Sequence, residues 1–367
     1  MSRLLDQLDD SQVVICTGAG GVGKTTVAAA VAVGLAADGR RVALVTIDPA
    51  RRLAEALGLD NLGNDPQPVD LTPFERAGLE ARGELGAMML NVKRTFDELV
   101  TRLAPDHATA DQILANPVYE QISTAVAGSQ EYTAMAKLFE LHRLASYDVI
   151  VLDTPPSRSA VDFLRAPQRL SSFLGGRALN MLVRPTGMAM RMTGLVFAVL
   201  RRIMGVAMLD DVTSFFALLG GLLEGFRERA ADVEALLVDP STAFLIVSSP
   251  EPQPAREAIY LGDELAKLGL RHRALVINRL HPLDPDGSDP ARAAERLRSV
   301  LGGELAARVA SVHAEFQLMA EREQASIDRL TATLGRSATF GAVDRGADVH
   351  DADGLVWLCR ELFQTAD

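Results

Sequence analysis

A ten-residue stretch near the N-terminus, Thr17-Gly18-Ala19-Gly20-Gly21-Val22-Gly23-Lys24-Thr25-Thr26, constrains the chain more than any other feature. The apolar run Val13–Cys16 precedes it and the alanine-rich run Val27–Ala32 follows. A buried strand, a glycine loop and a helix start are the context that a G-x-x-x-x-G-K-[ST] phosphate loop requires. Glycines let successive backbone N–H groups curl around a phosphate, and the helix N-terminus adds its positive dipole end. Gly18, Gly20, Gly21, Val22, Gly23, Lys24, Thr25 and Thr26 are therefore the expected nucleotide-binding residues. Lys24 would reach the β/γ-phosphate oxygens, and the Thr25 hydroxyl would ligate Mg²⁺.

Further apolar runs fit strands of the same sheet: Gln12–Thr17, Arg41–Ile47, Asp148–Leu152, Ala243–Ser248, Arg273–Ile277 and, more weakly, Ala338–Val343. Runs of this kind suit strands covered on both faces, which implies an α/β fold with a mostly parallel sheet flanked by helices. Functional residues should gather beyond the C-terminal ends of these strands, where Asp48, Asp153, Ser249 and Asn278 fall. Asp48 in Thr46-Ile47-Asp48-Pro49 is placed to orient an attacking water and to help hold Mg²⁺. Asp153, closing the run Val149–Leu152, occupies the Walker B position as a second Mg²⁺ holder.

The spacing between strand ends is uneven. About a hundred residues separate Asp48 from Asp153, and about ninety more precede the Ala243 strand, mostly in helical pattern. The expected division is a nucleotide-binding domain from residues 1–73, 146–160 and 240–367. Residues 74–145 and 161–239 would form an inserted helical subdomain. Within it, Phe163 to Leu209 carries seven arginines and no acidic residue, in a chain of net charge -11. Met181, Met188, Met190, Met192, Met204 and Met208 crowd the same stretch. Methionines make adaptable apolar surfaces, so this stretch is a candidate client groove; the same pattern also suits the core of a helical subdomain. Residues 303–334 read as one or two long amphipathic helices with Leu305, Val309, Val312, Phe316, Met319, Ile327 and Leu330 as the apolar face.

Charge and cysteine content narrow the partners. With 48 acidic against 37 basic residues, the chain lacks the basic footprint of a nucleic-acid binder. Cys16 and Cys359 lie far apart and offer no zinc site and no disulfide framework. The first ten residues carry three aspartates and no long apolar stretch, unlike a signal peptide. The apolar middle runs twelve residues without a charge (Val212–Leu223), well short of the roughly 20 a spanning helix needs. The expectation is a cytoplasmic protein, with peripheral membrane attachment left open.

Together the three nucleotide motifs resemble the ArsA/Get branch of deviant-Walker P-loop ATPases. Gly18–Thr26 is similar to the family's GKGGVGKTT loop, Asp48-Pro49-Ala50 to its switch I, and Asp153-Thr154 with Pro156 to switch II. Val276-Ile277-Asn278-Arg279 resembles the strand whose asparagine reads adenine, and Asp348-Val349-His350-Asp351 resembles a C-terminal motif of bacterial members. The resemblance implies a Mg²⁺-dependent ATPase that binds ATP and ADP, with Lys24 and Asp48 as catalytic residues. It also implies a dimeric switch whose helical subdomains hold a hydrophobic helix or a membrane-associated client.

Ala19 departs from the pattern, because the family has a lysine there that reaches across the dimer. Either Arg51, Arg52 or Arg158 supplies the charge, or those arginines are solvated and the chain turns over slowly. A heterodimer with a lysine-bearing paralogue is then as open as a homodimer. Two other readings follow from the same loop. A metalloid-pump motor would need soft thiolate ligands that two distant cysteines do not offer in one place. A MinD/ParA-like positioning ATPase would need an exposed terminal amphipathic helix, whereas Gly354–Phe363 reads as a helix packed on the sheet.

Overall fold

The computed structural model describes residues 4–47, 51–117, 119, 129–155, 161–162, 164–166, 215, 218, 222–283, 289–335 and 337–363. Eight strands form one sheet: β1 (Val13–Gly18), β2 (Arg41–Thr46), β3 (Gln67–Pro68), β4 (Glu84–Met89), β5 (Val149–Asp153), β6 (Thr242–Ser248), β7 (His272–Leu280) and β8 (Ala338–Val343). Their spatial order is β3-β4-β2-β5-β1-β6-β7-β8. Every neighbour pair is parallel except β3 with β4. Strand β1 thus sits in the middle of the sheet, between β5 and β6.

The strands alternate between two cores, as a period of two requires. Val14 and Cys16 of β1 face a cluster built with α1 (Leu4–Leu8), α2 (Lys24–Ala37) and α12 (Ala352–Phe363). Val13 and Ile15 face the opposite cluster, built with α7 (Ser129–Leu144), α8 (Leu223–Val238) and α9 (Pro252–Lys267). Helix α2 is small-residue throughout, which lets it lie close on the sheet and on α12. At Gly34 a β-carbon would come within 2.8 Å of the Phe363 ring. The C-terminal helix is therefore packed on the body, with Leu355, Val356, Leu358, Cys359 and Leu362 buried.

A third core lies in helices of both insertions. Leu99 and Val100 of α5 (Val92–Leu103) and Ile113 of α6 (His107–Leu114) meet Ala136, Phe215, Phe226 and Ala230. Tyr119 stacks on Phe96 with centroids 5.9 Å apart. Helices from both segments thus share one apolar centre.

Two elements differ from the sequence expectation. Residues 84–89, Glu-Leu-Gly-Ala-Met-Met, were expected within a helical insertion and instead form β4, paired in register with β2 (Val42↔Leu85, Leu44↔Ala87). Leu, Ala and Met are helix formers without β-branching, so local propensity pointed the other way and the open edge of β2 decided. The second difference is the face of α11 (Gly303–Leu334), a single helix of 32 residues. Leu330 is buried and Ile327 packs on the core, but Leu305, Val309, Val312, Phe316 and Met319 are 40% to 51% exposed. Small residues are buried instead, Ala306, Ala310 and Ala320, because α10 (Pro290–Leu301) and α9 approach along that side.

Candidate nucleotide site

Strand β1 ends at Gly18, whose α-carbon leaves no space: a β-carbon there would sit 1.9 Å from the Val247 carbonyl oxygen of β6. The loop then turns through Gly21 (φ 78°) and Gly23 (φ 86°), the left-handed region that side chains resist. Gly23 is also the N-cap of α2 and provides no capping side chain, so the first amides of the helix stay open to an anion. A β-carbon on Gly23 would fall 2.4 Å from the Asn278 side-chain nitrogen, so this glycine is required twice over.

Lys24 is buried, and its Nζ donates to the Ala19 carbonyl at 2.7 Å, which folds the lysine back over the loop. On the next residue, Thr25 Oγ1 donates to Asp153 Oδ2 at 2.6 Å. Register explains the meeting. Asp153 pairs with Cys16 on β1 and with Thr46 on β2, so its carboxylate lies level with the loop's start. Thr46 Oγ1 donates to the same oxygen at 3.1 Å, and Asp153 is 1% exposed. Thr154 Oγ1 donates to the Cys16 carbonyl at 2.9 Å, fixing the start of the segment after β5. A hydroxyl and a carboxylate at a helix N-terminus are hard oxygen donors of the type Mg²⁺ prefers, so the set fits that ion.

The far side of the loop is held from β7. Asn278 Nδ2 donates to the Val22 carbonyl at 2.9 Å, and the next residue, Arg279, has φ 63°. Beyond β7, the His281 backbone N–H donates to Glu323 Oε2 at 2.9 Å, and the ring Nδ1 lies 2.7 Å from Oε1. Strand β7 is thereby tied to α11. A cavity of about 1130 Å³ opens over this floor. It is lined by Gly20, Gly21, Gly23, Lys24, Thr25, Thr26, Asn278, Arg279 and His281, by Met319 and Glu323 of α11, and by residues 343–349. Arg345 lies over the Trp357 ring at 5.8 Å, anchoring that last loop to α12.

The fold brings the residues of the expected phosphate loop together with Asp153 and Asn278. Sequence reasoning assigned no role to Thr46, Glu323 or residues 343–347; Thr46 meets Asp153 only through the register of β2 with β5. Asp48, Pro156, Arg158 and all six methionines of the candidate groove lie outside the described residues, as do the side chains of Arg51 and Arg52. Arg165, counted among the basic residues of that stretch, pairs with the buried Glu264 of α9. Ala19 is 2% exposed beside a small hollow that also touches Glu251 and Glu257. The thiols take no part: burial and the neighbouring Asp153 carboxylate push Cys16 well up, and burial pushes Cys359 up to about 12. Among the described residues no helix is long and apolar enough to cross a membrane.

A parallel sheet with this loop after its central strand, and an aspartate on the neighbouring strand bonded to the loop's threonine, defines a P-loop nucleoside-triphosphatase fold. Residues 11–316 match the family model described as Anion-transporting ATPase, and the chain belongs to that family. It is 28% identical over 282 residues to an "Arsenical pump-driving ATPase" of Escherichia coli, covering 76% of this chain and 41% of that protein. It is 26% identical over 287 residues to "ATPase get3" of Aspergillus terreus, covering 77% of each. The chain therefore spans less than half the length of the pump ATPase it matches.

Proposed function

We propose that this chain binds Mg²⁺-ATP at the loop of residues 18–26 and hydrolyses it as a dimeric switch. The observation that carries the reading is the Thr25–Asp153 contact at 2.6 Å, with Lys24 and Asn278 facing one cavity. Lys24 would exchange its bond to the Ala19 carbonyl for phosphate oxygens, while the open amides of α2 hold the β-phosphate. Thr25 and Asp153 would hold Mg²⁺, which supplies charge neutralisation on the phosphates. Asn278 would read adenine with the amide oxygen while its nitrogen braces Val22. Asp48, following β2, would hold the ion and orient the attacking water.

Ala19 carries no cation to offer a second subunit, so turnover by this chain alone is slow. Full activity would come in a homodimer with a substitute arginine or in a heterodimer with a lysine-bearing paralogue. Residues 74–145, apart from β4, and 161–239 form the subdomain that responds to nucleotide. The methionines at 181–208 would present its client surface to a hydrophobic helix. Glutamate at Met188, Met190 and Met192 should then abolish client capture and spare nucleotide binding.

The direct test is titration of a fluorescent ATP analogue with and without Mg²⁺. Binding that Mg²⁺ strengthens, and that Lys24→Ala removes, supports the reading. Equal affinity in the Lys24→Ala variant would overturn it.

A further inference from the structure

Six large apolar residues of α11 are exposed; Leu318 lies off the stripe, and the other five fall at 305, 309, 312, 316 and 319, a spacing of four, three, four and three. That is the repeat of a coiled-coil seam, in which each layer fits a matching seam on another helix. The flanks of this seam are not alike. Ala306, Ala310 and Ala320 on one side are buried, Ala306 and Ala310 where α10 packs. On the other side Arg308, Glu315 and Arg322 follow at seven-residue intervals, alternate in sign and are exposed.

The alternation selects the partner and the direction. In a parallel pair, each of these residues would face the position five further on, His313, Ala320 or Ile327, and no opposite charge would meet. In an antiparallel pair of identical helices, flanking residues of the same edge meet each other. With a two-fold axis between Ala310 and Ser311, Arg308 meets Glu315 of the partner subunit, and the reciprocal pair forms by symmetry. The same register sets Leu305 on the partner's Phe316, and Val309 on the partner's Val312. Every layer from Leu305 to Phe316 is then apolar, and both ion pairs close.

We propose that this seam is an antiparallel, two-fold contact with a second copy of this chain, formed without nucleotide. It is separate from the nucleotide-driven dimerisation proposed above. It is nevertheless continuous with the nucleotide cavity. Phe316 lies 5.5 Å from the His281 ring, and Met319 and Glu323 further along α11 line the cavity. Pairing of the seam would therefore brace the β7 end that carries Asn278.

Sedimentation velocity of the full chain without nucleotide, across the micromolar range, tests this. The wild type should self-associate, and Val309→Glu should abolish it. Arg308→Glu and Glu315→Arg should each weaken self-association about ten-fold, since like charges then oppose each other at both symmetric pairs. An equimolar mixture of those two variants should regain wild-type affinity, because each then presents the charge that the other lacks. Unchanged circular dichroism and ATP-analogue binding by the charge variants establish that they fold. A wild type that stays monomeric overturns the proposal, as does association unaffected by these changes. Failure of the mixture to recover also overturns it, and a seam that takes a client helix instead would give that result. All these runs omit nucleotide, so their failure leaves the ATP-driven reading standing.

Discussion

The phosphate-loop end of the molecule and the outer half of α11 are both rich in apolar residues, and they use them in opposite ways. Around the loop, Val14, Cys16, Val27, Leu44, Val151, Leu245 and Val247 are all fully buried, and Thr25, Thr46 and Asn278 make hydrogen bonds that tie the loop to neighbouring strands. On α11, six large apolar side chains stand in solvent while alanines are buried. The first arrangement closes the floor of one cavity within a single chain. The second leaves a face unfinished, and what it teaches is that apolar periodicity shows where a face exists without showing what covers it.

The sharpest way to break that contrast is to truncate one residue from each region. Leu245→Ala opens a cavity in the core between β6 and the helices α1, α2 and α12 and should cost about 2–5 kcal/mol in urea unfolding. Val312→Ser should stay within about 0.5 kcal/mol in the monomer, since a surface site lacks that mechanism. Equal losses at the two sites would mean that α11 is covered within the monomer.

At the loop itself, Lys24→Ala should weaken ATP-analogue binding about 100-fold, as two charged hydrogen bonds disappear. Unfolding stability should fall by about 1–3 kcal/mol, since the buried Lys24 Nζ loses its charged hydrogen bond to the Ala19 carbonyl. Asn278→Ala removes the brace on Val22 and should cost roughly five-fold in affinity, about 1 kcal/mol for one neutral hydrogen bond. Glu323→Gln should show a smaller version of the same loss, since Glu323 lines the cavity and holds the His281 end of β7.

The smallest expected effect is a pH dependence. His272 at the start of β7 has its pKa lowered by burial and lies 2.8 Å from Ser337 Oγ. Its folded pKa is below the unfolded value near 6.5. Between those two values the unfolded state binds more protons, so stability rises with pH and is lost as pH falls below about 6.5. Urea unfolding at several pH values should show a shallower acid slope in His272→Gln than in the wild type.

How much of this was legible in the sequence depends on how local each cause is. Phosphate-loop residues declare themselves because the turn, the helix start and the lysine are consecutive. Asp153 and Asn278 could be placed because each follows directly on an apolar run, although β7 itself continues past Asn278 to Leu280. Strand β4 could not, because Leu, Ala and Met carry no strand preference and the cause was the free edge of β2. The face of α11 was misassigned for a related reason. Its spacing is genuine, but neighbours that decide burial, α10 and α9, choose the alanine side. Thr46 and Glu323 depend on register between distant segments, which no local pattern carries.

The proposed function requires that hydrolysis at the nucleotide site be limited by the alanine at position 19. Its most direct test measures steady-state ATP turnover and ATP-analogue affinity for the wild type and Ala19→Lys side by side. The variant should bind the analogue with unchanged affinity and turn over at least about ten-fold faster, because a cation now reaches the transferring phosphoryl group across the dimer. Rapid turnover by the wild-type chain, with no gain from the lysine, would contradict the claim.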